Sequence, residues 1–105
     1  MSVITDIERT IEQLKERQVK ARKFEKLMNN REFKELILGD YLCDEPARIT
    51  TLLAYPQHRE SSVSQLMAIS RFNEYLDQLH NRYTSVDEEL EAALESRAQV
   101  LAEEA

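Results

Sequence analysis

Residues 69–100 read ISRFNEYLDQLHNRYTSVDEELEAALESRAQV. Within them Ile69, Phe72, Leu76, Leu79, Tyr83, Val86, Leu90, Ala93 and Val100 fall on one register of alternating three- and four-residue steps, which only Arg97 breaches. This is the period of an apolar seam on a long helix that packs against another helix. Val63 and Leu66 add apolar surface ahead of it, and no Gly or Pro follows Pro56. The pattern predicts a helix over 62–103, capped by Ser61 or Ser62 and about 60 Å long at 1.5 Å per residue. Thr84-Ser85 followed by Asp87-Glu88 offers the alternative of a break and a new N-cap there.

A helix this long needs a partner, and the N-terminal stretch supplies one. Ile4, Ile7, Ile11 and Leu14 repeat the same spacing on a helix over 3–28, with Ser2 or Thr5 as its N-cap. Gln18, Ala21 and Glu25 continue that line more weakly, and Phe24 and Leu27 stand beside it, so the buried face is expected to rotate towards the helix end. Asn29-Asn30 interrupts the pattern, and Asn29 with Glu32 resembles a capping box.

Two short helices are expected over 31–54. The first, 31–38, carries Phe33, Leu36 and Ile37 and stops at Gly39, the only glycine, read as a left-handed C-cap. The second begins at Asp44-Glu45-Pro46, with Asp44 as N-cap, and presents Ile49, Leu52 and Leu53 before Tyr55-Pro56 ends it. Residues 57–60 are a polar connection. Tyr41, Tyr55, Phe33 and Phe72 are expected to fill the space between the elements.

The fold class is therefore all-α: one helical domain over 1–105, an antiparallel long-helix hairpin with two short helices at the connecting end. Pairing Met28 with Val63 sets Ile4 opposite roughly Asp87. The acidic C-terminal part of the last helix then overhangs the hairpin. Leu90, Ala93, Leu94 and Val100 become candidate protein-interaction residues, because apolar positions without an internal partner call for an external one.

Composition narrows the function classes. The chain has 105 residues, one Gly, two Pro and a formal net charge of −6. So few turn residues disfavour a β-sandwich and a Gly-rich phosphate loop. A net acidic chain is a poor default for nucleic acid. Lys15, Arg17, Lys20, Arg22, Lys23 and Lys26 nevertheless form a basic stretch opposed by Glu16 and Glu25. These residues point around the helix and lack adjacent aromatics for base stacking, so a solvated face is the favoured reading and an electrostatic patch the alternative. Asp87, Glu88, Glu89, Glu91, Glu95, Glu103 and Glu104 make the C-terminal third acidic, which reads equally as a solvated helix without a partner or as a surface for head-to-tail association with a neighbour's basic stretch.

No catalytic, cofactor or metal site is expected. His58 and His80 lack zinc-ligand spacing. Cys43, the only cysteine, reads as a small buried residue and is compatible with a reducing compartment. Asp40, Asp44 and Glu45 do not match a calcium loop. The longest apolar runs, such as Leu36-Ile37-Leu38, are too short to span a membrane, and residues 1–6 lack the features of a secretion signal.

The stretch Asn29-Asn30-Arg31-Glu32-Phe33-Lys34-Glu35-Leu36-Ile37-Leu38-Gly39-Asp40-Tyr41-Leu42, with Asp44-Glu45-Pro46-Ala47-Arg48-Ile49-Thr50-Thr51-Leu52-Leu53-Ala54, resembles small helical proteins encoded among the structural genes of tailed bacteriophages. Asp40 between Gly39 and Tyr41, and Pro46 before Ala47-Arg48, depart from that pattern. The resemblance implies a protein made in the bacterial host cytoplasm that acts in virion structure or head assembly, and it carries over no catalytic residue. The expected function is thus non-enzymatic. Coiled-coil contacts would join the chain to itself, as a homo-oligomer, or to another virion protein. The alternative is a small regulatory adaptor that binds a protein or nucleic acid through Lys15 to Lys26.

Overall fold

A computed structural model describes residues 2–104, which are helical almost throughout and contain no strand. The elements are α1 (Val3–Met28), α2 (Arg31–Phe33), a π-helical segment (Lys34–Asp44), α3 (Glu45–Leu52), α4 (Pro56–Thr84) and α5 (Val86–Glu104). The architecture is an all-α long-helix hairpin with short helices in the connecting chain. The chain divides into two compact units, residues up to 24 with those from 80 onward, and residues 25–79.

In the first unit α1 runs antiparallel to α5 and the end of α4. Its core is Ile11, Leu14, Ala21, Val86 and Leu90, with Ile7, Tyr83, Ala93 and Leu94 packed against it. These are the two seam patterns of the sequence facing each other. Ser2 caps α1, its Oγ accepting from the Thr5 backbone N–H at 3.2 Å. The expected rotation of the buried face reaches Phe24, which meets the Tyr83 ring at 5.8 Å, but not Leu27, which is 43% exposed.

The pairing register differs from the sequence expectation. Asp87, expected opposite Ile4, instead accepts from Gln18 and Arg22. Leu90 is buried, Ala93 and Leu94 pack on the α1 core, and Val100 is half-buried, so the C-terminal segment does not overhang. The physical reason lies in the connection. The first part of α4 packs within the second unit, where Ile49, Ser62, Ile69 and Leu76 are buried, and this leaves the α5 seam to cover α1.

The second unit departs from expectation at several capping positions. Asn30, not Asn29, caps α2, its Oδ1 accepting from the Phe33 N–H at 2.8 Å. Gly39 does not end a helix and has no positive φ. It lies inside the π-helical segment, where an added Cβ would stand 3.3 Å from the Lys34 carbonyl oxygen. Asp44 has helical backbone angles and makes no side-chain cap, so α2, the π segment and α3 follow one another without a break.

The π pitch sets the burial pattern: Phe33, Ile37, Leu38, Tyr41 and Leu42 are half-buried, while Leu36 is exposed. Tyr41 meets Phe72 edge-on at 5.8 Å, but Tyr55 is exposed and fills no core. α4 starts at Pro56, a residue suited to a first helical turn because its missing N–H would have no partner there. Residues 57–60 are therefore helical rather than a connection. Ser62 is interior, at 1% exposure, rather than a cap.

The expected long last helix is kept as a helical run of 49 residues, with one turn residue, Ser85, between α4 and α5 at the alternative break. The seam keeps its register through the junction, with Tyr83 half-buried and Val86 and Leu90 buried on either side. The Glu89 N–H still donates to the Ser85 carbonyl at 3.0 Å. Asp87, Glu88 and Glu89 crowd the first turn of α5, where the helix dipole favours them.

Candidate interaction surfaces

Of the apolar residues expected to face a partner, Leu90, Ala93 and Leu94 are engaged inside the chain. Exposed apolar surface lies elsewhere. On α4, Val63, Met67 and Tyr75 are 44%, 56% and 51% exposed. Their spacing, with Arg71 between Met67 and Tyr75, makes one i, i+4, i+8, i+12 ridge on the side away from Ser62, Ile69 and Leu76. The core seam dominated the sequence pattern there. The signal for the ridge is a second apolar line on the same helix, visible once the first has been assigned.

The basic stretch is divided by the structure. Arg17 Nη1 lies 3.3 Å from Glu89 Oε2, and Arg22 Nη2 lies 2.7 Å from both oxygens of Asp87. Gln18 Nε2 donates to the same carboxylate at 2.8 Å. The Arg22 guanidinium, with Gln18 second, holds the Asp87 carboxyl below its ordinary pKa. Part of the stretch therefore fastens α1 to α5, and the acidic first turn of α5 receives it. Both halves of the charge pattern were legible, but their pairing within one chain was not, because it depends on the register.

Lys20 shares a side of α1 with Arg17, away from Arg22. It lines a surface groove of about 230 Å³ with Gln13, Glu16, Arg17, Arg82 and Tyr83. The groove continues along the hairpin. Gln13 and Arg17 also line the next stretch, about 410 Å³, with Thr10, Leu14, Glu89, Ala92 and Ala93. Thr10 and Ala93 then line a third, about 300 Å³, with Val3, Asp6, Ile7 and Ser96. The groove is open because the facing residues on α5, Ala92, Ala93 and Ser96, are small. Lys15 lies in a separate groove of about 490 Å³, with Thr5, Glu8, Arg9, Ile11, Glu12 and Arg97. Lys23 and Lys26 are exposed.

Cys43 is exposed rather than buried, because the π segment turns it outward; its thiol donates to the Leu38 carbonyl at 3.3 Å. His58 stacks edge-on with Tyr55 at 6.5 Å, and His80 is exposed. Glu45 forms a fork with Arg48, with contacts of 3.2 and 2.7 Å, and this hydrogen-bonded pairing lowers the Glu45 pKa. Among the described residues, no group of three or more His, Cys, Asp and Glu side chains gathers as a metal site. No described helix is long and apolar enough to cross a membrane.

Comparison of the chain with protein-family models, curated proteins and solved structures finds no match.

Proposed function

We propose that the chain is a non-enzymatic structural or head-assembly protein of a tailed-phage virion, working through helix–helix contacts with another virion protein. The observation that carries the assembly reading is the exposed apolar ridge Val63, Met67 and Tyr75 on α4. An i±4n ridge is the feature that interdigitates with a second helix, and Tyr75 is of a residue type enriched among the few that dominate interface energy. The virion setting rests on the resemblance of residues 29–42 and 44–54 to phage structural-gene products. The bacterial host cytoplasm is the compartment in which such a protein would assemble.

The test is genetic and structural. The reading frame is deleted from the phage genome that carries it, and particles are counted and imaged by electron microscopy. Loss or malformation of heads is expected, with rescue by the intact chain supplied in trans. A Met67→Glu, Tyr75→Ala variant that remains helical is expected not to rescue. Normal particles in normal yield from the deletion would overturn the reading.

The adaptor alternative loses ground on one observation. Arg17 and Arg22 of the basic stretch are held by Glu89 and Asp87. Binding of nucleic acid through that stretch would have to compete with these pairs.

A further inference from the structure

We infer that the groove face of the hairpin is the surface on which two copies of this chain associate, α1 lying antiparallel to α1 of the partner about a two-fold axis beside Gln13. The inference deepens the assembly reading by naming one partner, and it stands on a surface different from the α4 ridge.

The first ground is shape. Thr10, Ala92, Ala93 and Ser96 line the groove between α1 and α5, with apolar floor from Ile7 and Leu14. Small side chains let a further helix approach closely, as in a four-helix bundle, where packed axes lie about 8–10 Å apart.

The second ground is charge. Asp6, Thr10, Gln13, Arg17 and Lys20 follow one another at steps of four and three, a line on α1 that flanks its buried seam and lines the groove. The line is acidic at its start and basic at its end. Gln13 is midway: Asp6 precedes it and Lys20 follows it by the same seven residues, about 10 Å each way at 1.5 Å per residue. An antiparallel copy inverts that order. Asp6 then faces the partner's Lys20, Lys20 faces the partner's Asp6, and the two Gln13 amides meet at the axis. Within one chain neither the Asp6 carboxylate nor the Lys20 ammonium joins an ion pair among the described residues. A surface that is complementary to itself under a two-fold rotation closes as a dimer rather than a fibre.

The test is a charge swap read by sedimentation velocity on the full chain across concentration at low salt. The intact chain is expected to dimerise reversibly, more weakly as salt rises, because exposed ion pairs are screened. Asp6→Lys alone and Lys20→Asp alone each replace two attractions with two repulsions, and each is expected to weaken the dimer by about tenfold or more. In an equimolar mixture of the two variants, each reversed charge meets its opposite across the axis. Both attractions return, and the mixture is expected to regain the dimer. Circular dichroism confirms that each variant keeps its helices. A second measurement serves if either loses them: in a Cys43→Ser background, Gln13→Cys is expected to cross-link two chains under mild oxidant, and Lys23→Cys is not. An intact chain that stays monomeric overturns the inference. So do single reversals that dimerise normally, a mixture that stays monomeric, or cross-linking no better at position 13 than at position 23. A solution dimer with normal virions from the deletion overturns the virion reading alone.

Discussion

Arg22 reaches from α1 to Asp87 at the start of α5, one guanidinium nitrogen standing 2.7 Å from each carboxylate oxygen. With Arg17–Glu89 and Phe24–Tyr83 this contact fixes the register of the antiparallel pair: as α1 advances from residue 17 to 24, its partner retreats from 89 to 83. A one-turn slip would break all three. The ion pairs are exposed and contribute little to overall stability, but they disfavour neighbouring registers that the apolar seams alone tolerate.

The pH dependence of stability should report this contact. Arg22 first, then Gln18, lower the Asp87 pKa in the folded chain. The stabilisation is therefore present above the unfolded carboxyl value, about 3.9, and is lost as pH falls through the folded one. Asp87→Asn should unfold at a lower temperature than the intact chain at neutral pH. The difference should shrink with acidification and vanish once both the folded and the unfolded states hold the proton. Thermal unfolding at a series of pH values checks this; a gap independent of pH would contradict it.

Leu90 should behave as a core residue and Leu101 as a surface one. Leu90 is 8% exposed within the α1–α5 core, and Leu101 is 49% exposed near the end of α5. Leu90→Ala is expected to cost about 2–5 kcal/mol, the range for a buried leucine replaced by alanine. Leu101→Ala should stay within about 0.5 kcal/mol of the intact chain. A chain ending at Ser85 loses Val86 as well, and residues 3–24 should lose most of their protection from hydrogen exchange. Urea titration and exchange measurements decide both points.

The two seams were legible because Ile4 to Leu14 and Ile69 to Leu90 keep a strict period. Their register was not, because a heptad pattern repeats: shifting one helix by a multiple of seven residues leaves apolar facing apolar. Gly39 misled for a related reason. Glycine after an apolar run is the ordinary mark of a helix end, but here the helix widens into a π turn and continues. Cys43, expected inside, is turned outward by the same widening. The basic and acidic stretches were each visible, whereas the groove that brings Lys20 beside Arg82 and Tyr83 exists only after folding.

Gly39 itself supplies a test. A Cβ there would stand 3.3 Å from the Lys34 carbonyl oxygen, a tight but not prohibitive contact with backbone. Alanine gains up to about 1 kcal/mol in helix propensity over glycine, which offsets that crowding, so Gly39→Ala should lie within about 1 kcal/mol of the intact chain. Valine adds branched bulk to the same contact and has poorer propensity. Gly39→Val should unfold at lower urea than Gly39→Ala; equal midpoints would mean that position 39 has more room than the π geometry gives it.

Ser62 separates the capping role suggested by its sequence context from the interior role seen in the fold. A cap would lie at the start of a helix with its hydroxyl accepting a backbone N–H, and replacing it by alanine would cost about 1 kcal/mol. Ser62 is instead well inside α4, 1% exposed, on the same side as Ile69 and Leu76. Its small size is what the packing uses. Ser62→Ala should therefore be tolerated, because volume is nearly kept and helix propensity improves. Ser62→Leu should cost about 1–3 kcal/mol by overpacking a site with no space to give. Equilibrium denaturation of the two variants gives the order. If alanine proves the more damaging of the two, the hydroxyl rather than the volume is what position 62 requires.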